Sequence, residues 1–341
     1  MSDANETLSN LAHENRTFAP SAEFAAQANA KADLYDQAEA DRLGFWATQA
    51  RGLDWETDFA EVLDWSAPPF AKWFVGGTLN VAYNCVDRHV HSGHGDQVAI
   101  RFEGEPGDQR NVTYRELLGE VSKAANALTE LGITAGDRVV IYMPMIVEAV
   151  VAMLACARIG APHSVVFAGF SAEALRSRID DASAKLVITA DGQNRRGNVM
   201  SLKPAVDEAV ASCPSVNSVL VVKRCGNDVT WGEKDVWWHE FVESQSPEHT
   251  PQAFDSEHPL FILYTSGTTG KPKGILHTTG GYLTQVTYTH RNVFDLKPET
   301  DVFWCTADIG WVTGHSYIVY GPLANRATQV IYEGTPDAPA K

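Results

Sequence analysis

Tyr264 to Gly274 reads YTSGTTGKPKG and directly follows the apolar run PLFILY. Gly267, Gly270 and Gly274 let a backbone turn tightly and come close to a ligand. Thr265, Ser266, Thr268 and Thr269 bring hydroxyls, and Lys271 and Lys273 bring positive charge. A nest of N–H groups, hydroxyls and ammonium groups of this kind suits a polyphosphate. It is not a Walker A loop, which reads G-x-x-x-x-G-K followed by Ser or Thr. Here only Thr268 and Thr269 separate Gly267 from Gly270, and Pro272 follows Lys271 where a Mg2+-binding hydroxyl would stand. The bland alternative is a solvated Gly/Ser/Thr loop. Such loops seldom set lysines and glycines straight after a buried strand.

Charge and composition bound the partners. The chain has 341 residues, 44% of them hydrophobic and 21% charged, an ordinary globular composition. Its length exceeds what one hydrophobic core usually holds, so two or three sub-structures are expected. With 27 basic and 43 acidic side chains the net charge is -16. A surface this acidic repels nucleic acid and anionic lipid, so neither is expected as a partner, and anionic ligands need focused basic residues. Cys85, Cys156, Cys213, Cys225 and Cys305 form no C-x-x-C pair, which fits a reduced compartment. The opening MSDANETLSN has neither the basic nor the apolar part of a secretory signal. The most apolar helix-like stretch, Met145 to Gly160, is short and interrupted by Glu148 and Arg158, which argues against a membrane span. A cytoplasmic location is expected. His89, His91 and His94, with Asp87 and Asp96 nearby, invite a metal reading. HSGHG reads as a turn and no second ligand cluster supports them, so no dedicated metal site is expected.

The run TSGTTGKPKG resembles the phosphate-loop signature of the acyl-adenylate-forming enzymes: acyl-CoA synthetases, luciferases and peptide-synthetase adenylation domains. The resemblance implies that a carboxylate attacks the α-phosphate of Mg·ATP, pyrophosphate leaves, and a thiol displaces AMP from the acyl-AMP. It assigns Thr265, Ser266, Gly267, Thr268, Thr269, Gly270, Lys271, Lys273 and Gly274 to the ATP phosphates, with Mg2+ arriving on ATP. Trp73 to Val90 (WFVGGTLNVAYNCVDRHV), Ile275 to Leu283 (ILHTTGGYL) and Trp304 to Tyr317 (WCTADIGWVTGHSY) are similar to the acetyl-CoA and propionyl-CoA synthetase branch. This likeness covers the chain from about Asp54 onward and implies acetate, ATP and CoA as substrates, with propionate as the alternative acid. By it Trp311, Val312, Thr313 and Gly314 form the acyl pocket, and Gly310 and Gly314 allow close backbone approach. One methylene in such a pocket discriminates by only ~1–3 kcal/mol, so acetate over propionate is a preference. Phe167, Ala168 and Gly169 match a strand-end F-G-G that meets CoA, with Ala168 departing from the usual glycine. Arg195 matches an arginine near the CoA phosphates, Arg196 adjoins it, and Thr313 and Asp337 complete the implied CoA set. Taken alone an Arg-Arg pair is solvated surface; inside GQNRRG it makes a sensible phosphate clamp. Asn198 stands where some relatives carry a second arginine, and Asp337 where many carry asparagine.

These residues need a scaffold. Residues 1–20 read as a disordered tail, and the Ala-rich stretch Ala22 to Gln49 as helix. Trp46, Trp55, Trp65 and Trp73 then read as aromatic anchors that strap an N-terminal segment, 21–92, onto a main domain, 93–341. Within that domain strands are predicted at Asp137–Pro144, His163–Gly169, Lys185–Ala190, Ser218–Lys223, Pro259–Tyr264, Asp301–Thr306 and Gln329–Tyr332. Helices are predicted at Met145–Gly160, from Ser171 to about Ala184, and at Ser201–Cys213. The alternation predicts an α/β fold, doubly wound, with mostly parallel sheets and flanking helices, as in the large N-terminal domain of acyl-adenylate-forming enzymes. Ligands should then bind off the carboxyl ends of the strands. The family's adenine-binding segment, its T-E-T-G-like Mg2+ motif, its ribose-binding Asp and its lysine-bearing C-terminal domain do not occur before Lys341. The chain is therefore expected to be a front portion with little turnover alone, since losing one preorganised donor costs ~10²–10³ in rate. No catalytic residue is assigned within it. A non-catalytic nucleotide- or CoA-binding module is the alternative from another class.

Overall fold

The computed structural model describes residues 17–265, 272–335 and 337. Its strands are β1 (Glu61–Ala67), β2 (Phe70–Val75), β3 (Thr78–Leu79), β4 (Val98–Glu103), β5 (Gln109–Thr113), β6 (Val139–Tyr142), β7 (His163–Val165), β8 (Leu186–Ala190) and β9 (Gly192–Arg195). They continue as β10 (Asn198–Ser201), β11 (Ser218–Val222), β12 (Asp235–Trp237), β13 (Phe254–Asp255), β14 (Pro259–Thr265), β15 (Lys273–Thr278), β16 (Val302–Trp304) and β17 (Thr328–Tyr332). A seven-stranded sheet has the order β12-β11-β8-β6-β7-β14-β15. Its neighbours are parallel except for the β14–β15 hairpin. A four-stranded sheet, β16-β17-β4-β5, is parallel except for the β4–β5 hairpin. The doubly wound, mostly parallel architecture expected from the sequence is therefore present.

Composition explains the layering. VVIY of β6 and LVITA of β8 are buried at every position. Strands apolar on both faces need cover on both sides, which helices supply. In the Val147–Arg158 helix only Glu148 escapes burial. Its buried Arg158 is matched by buried Asp87, with bonds of 2.7 and 2.9 Å from the two guanidinium nitrogens. The Tyr114–Glu130 helix turns Leu117, Val121, Ala124, Ala125 and Leu128 inward. It opens with a reciprocal cap in which Thr113 and Glu116 each satisfy the other's backbone N–H. This helix, and the one at Thr279–Val293, are not among the segments predicted above.

The N-terminal stretch departs from its expectation. Ala22 to Gln49 is not one helix but parts of three: Ala22–Gln27, Asp33–Ala40 and Arg42–Ala50. Asn29 interrupts the first pair because its side chain donates to the carbonyls of Arg291 and Leu296, both at 2.9 Å. Asp41 interrupts the second by capping Gly44 N–H at 2.8 Å. Trp46 meets Tyr288 edge-on at 5.5 Å. Trp55, Phe59 and Phe74 pack together, with Trp73 against Phe74. Trp65 is 53% exposed and anchors nothing of this kind. His89, His91 and His94 lie in or beside the π-helical turn Val90–His94, where Gly93 adopts φ 90°. His89 is buried against the carbonyl of Leu323 at 2.8 Å.

Candidate functional site

The predicted strand His163–Gly169 stops at Val165 because the chain turns there. Phe170 N–H closes the turn on the Phe167 carbonyl at 2.9 Å. The Tyr142 hydroxyl holds it from below through the carbonyls of Ala168 (3.1 Å) and Phe170 (2.8 Å). Gln193 donates to the Ala168 carbonyl at 3.3 Å. A Cβ on Gly169 would come within 2.4 Å of the Phe167 ring, so a larger residue there would displace that ring. Phe167 thus stands at the carboxyl end of β7 with a fixed backbone.

Arg195 ends β9, and its guanidinium lies over the Phe167 ring, 5.3 Å from the centroid. Such a cation–π contact holds the charge without neutralising it. Trp311 also packs against Phe167, with ring centroids 6.2 Å apart. The backbone leading to Trp311 is fixed in turn. Asp308 accepts from Gly310 N–H at 2.8 Å. The Trp311 carbonyl receives the His315 N–H at 3.1 Å and faces His315 Nδ1 at 3.0 Å. A Cβ on Gly310 would meet the Phe167 backbone at 3.0 Å, and one on Gly314 would meet the Asp308 carbonyl at 2.2 Å. Both glycines are therefore required by close backbone approach.

Phe167 and Arg195 form the wall between two open cavities. One, of about 360 Å3, is also lined by Met145, Cys305, Asp308, Trp311 and Thr335. The other, of about 490 Å3, is also lined by Gly169, Gln193, Arg196 and Asn198. Of the residues expected to bind CoA, Phe167, Gly169, Arg195 and Arg196 come together here, with Ala168 buried beneath. Of the acyl set, Trp311 lines the first cavity, Gly314 is buried under it, and Val312 and Thr313 lie exposed on the short turn Val312–Gly314. Asp337 is exposed, and its carboxyl is held below the usual range by the Thr335 hydroxyl and the charge of Arg196.

The root of the loop predicted to bind phosphate is also described. Thr265 pairs with Lys273 and Tyr264 with Gly274 across the β14–β15 hairpin. Ser266, Gly267, Thr268, Thr269, Gly270 and Lys271 lie outside the described residues. The Tyr264 hydroxyl donates to Asp181 at 2.6 Å, and burial with that carboxylate raises its pKa. Arg178 lies over both Tyr264 (5.5 Å) and Phe170 (4.9 Å), joining the loop's root to the Phe167 turn. Arg178 and Asp308 are positioning groups that the sequence does not announce. Asp308 has its carboxyl pushed up by burial, against the Gly310 N–H and the charge of Arg195. Its only sequence signal is its place in the ADIGWVTGHSY run. Among the described residues no group of three or more His, Cys, Asp or Glu could hold a metal ion. None of the helices described is long and apolar enough to cross a membrane.

Residues 86–341 match the family described as AMP-binding enzyme. Residues 31–85 match the region described as acetyl-coenzyme A synthetase N-terminus. An acetyl-coenzyme A synthetase of Streptomyces avermitilis is 72% identical over 337 residues, covering 98% of this chain and 52% of that protein. One from Mycobacterium tuberculosis is 68% identical over 327 residues, covering 95% of this chain and 50% of that protein. One from Deinococcus radiodurans is 54% identical over 345 residues, covering 99% and 53%. The chain thus spans about half the length of these curated relatives.

Proposed function

The chain belongs to the AMP-binding enzyme family, and from that premise we propose that it serves an AMP-forming acetate–CoA ligase reaction. Acetate attacks the α-phosphate of Mg·ATP, the bond to pyrophosphate breaks, and acetyl-AMP forms. The CoA thiol then attacks the acetyl carbon and AMP leaves. In this reading the hairpin loop after β14 cradles the departing phosphates. Trp311 walls the acetate methyl group, Phe167 gives CoA a hydrophobic platform, and Arg195 and Arg196 meet its phosphates. Mg2+ enters as the counter-ion of ATP, and the acid is acetate in preference to propionate.

One observation supports this reading above the others. Met145, Phe167, Arg195, Cys305 and Thr335 all follow or end strands at their carboxyl side and line one cavity. Open α/β sheets bind ligands at such places. The cavity combines an aromatic wall, the Arg195 guanidinium and the buried Asp308 carboxyl, in a chain that is otherwise acidic.

Titration of this chain with ATP and with CoA, beside acetate- and propionate-dependent ATP–pyrophosphate exchange, tests the proposal. The expected outcome is binding of both ligands, ATP weakened by Lys271→Ala and CoA by Arg195→Ala. Exchange, where it occurs, should require acetate more than propionate. A chain that binds neither ligand overturns the proposal. Ligand binding with no exchange even beside the C-terminal half of a relative would favour the non-catalytic module instead.

A further inference from the structure

Arg196 and Gly197 form the tight turn between β9 and β10, with φ values of 53° and 71°. Arginine adopts a left-handed backbone only where its surroundings hold it there. Here the restraint comes from Glu105, a carboxylate only 7% exposed. It accepts from Arg196 N–H at 3.0 Å and from Gly197 N–H at 2.5 Å. It also accepts from Thr335 N–H at 3.1 Å. Among the described residues no Lys or Arg ion-pairs with Glu105, so three backbone amides carry its solvation. Gly334, at φ 129°, makes room: a Cβ there would come within 2.4 Å of Glu105 Oε2. The segments joined in this way are those bearing Arg195 and Arg196 on one side and Thr335 and Asp337 on the other. A second tie runs beside it, from Asn194 N–H to Glu333 at 3.2 Å.

We infer that Glu105 is a positioning residue for the phosphate-bearing end of CoA. It fixes the turn that aims Arg195 and Arg196, and it locks the Thr335 segment against that turn. The inference rests on the reading of this groove as the CoA site. Charge-assisted bonds from amides to a carboxylate are short and directional, which suits a geometric restraint better than a neutral acceptor would. In Glu105→Gln one oxygen becomes an NH2 group that confronts a backbone donor, so at least one of the three bonds is lost.

Calorimetric titration of the 341-residue chain with CoA, and with ATP as the control ligand, tests this, with thermal unfolding of every variant. Arg195→Ala and Glu105→Gln should each raise the CoA dissociation constant about tenfold, equivalent to ~1.4 kcal/mol. Affinity for ATP should stay unchanged, and Glu105→Asp should recover part of the loss. Where Glu105→Gln fails to fold, Glu105→Asp against the same two ligands decides the matter. Unchanged CoA affinity in Glu105→Gln, with a loss in Arg195→Ala, overturns the inference and leaves the CoA groove standing. A parallel loss of CoA affinity, ATP affinity and melting temperature assigns Glu105 to general stability and also overturns it. No CoA binding by the unaltered chain, or none lost in Arg195→Ala, overturns the groove reading itself.

Discussion

Gly314 has no room for a methyl group: a Cβ would lie 2.2 Å from the Asp308 carbonyl and 2.5 Å from Ile309 Cα. Both obstacles are backbone, so a substitution must separate the Trp311 turn from the Asp308 turn. Gly314→Ala should cost ~1–3 kcal/mol, the usual penalty for overpacking. It should also lower the urea midpoint while disturbing acetate use more than ATP binding. An unchanged midpoint would show that the two turns can part freely. At this scale legibility is uneven. Phe167, Arg195 and Trp311 are legible through the resemblance of their segments to a known family, since an Arg-Arg pair or a tryptophan taken alone reads as ordinary surface or core. Glu105 does not, since its amide partners are 91, 92 and 230 residues away. Nothing near residue 105 distinguishes such an acceptor from one of the many acidic side chains on the surface.

Among the elements, the Val147–Arg158 helix is joined to the turn Tyr83–Asp87 by the bidentate Arg158–Asp87 pair. His249 adds an acceptor on Arg158 at 3.2 Å. Removing one partner of a buried pair strands the other charge, at a typical cost of ~3–5 kcal/mol. Asp87→Ala should therefore destabilise strongly, by equilibrium urea unfolding, while the double variant Asp87→Ala/Arg158→Met recovers much of the loss. Failure of the second change to rescue would mean that the pair stabilises on balance. The buried strands are legible because β6, β8 and β11 are short runs dominated by Val, Ile and Leu. The Tyr114–Glu130 helix is hidden because alanines make up much of its buried face. Its Thr113-x-x-Glu116 start was the available signal. The breaks near Asn29 and Asp41 depend, in the first case, on carbonyls more than 260 residues away, which local propensity cannot register.

For the molecule as a whole, histidines whose burial disfavours the charged ring, among them His89, His163, His290 and His315, make stability depend on pH. Burial pulls His89 down to about 3, and His290 and His315 down to about 4, from an ordinary 6.5. In the unfolded chain these rings protonate as pH falls below about 6.5; in the folded chain they resist until about 4 or lower. The unfolded state therefore binds more protons across that window, and stability must fall on acidification. At about 1.4 kcal/mol for each pH step between the unfolded and folded values, each of the His89, His290 and His315 rings contributes at most roughly 3–5 kcal/mol to that loss, of which about 2 kcal/mol falls above pH 5. Asp308, whose carboxyl is pushed up by burial, acts in the opposite sense at the acidic end. Urea midpoints should drop steadily from pH 7 to pH 5; a flat profile would mean the rings are hydrated in the folded state.

The four-stranded sheet joins β4, near residue 100, to β17, near residue 330, as parallel neighbours. The whole of the larger sheet is encoded between them. A ribosome emitting this chain would release β4 and its hairpin partner β5 long before β17 emerges. Ile100 and Phe102, buried in the finished fold, must wait through that interval without their parallel partner. Contacts so distant along the chain slow folding and leave an open edge for other chains to pair with. Birth order thus places the period of greatest risk of misassembly between the emergence of β4 and that of β17, at the smaller sheet.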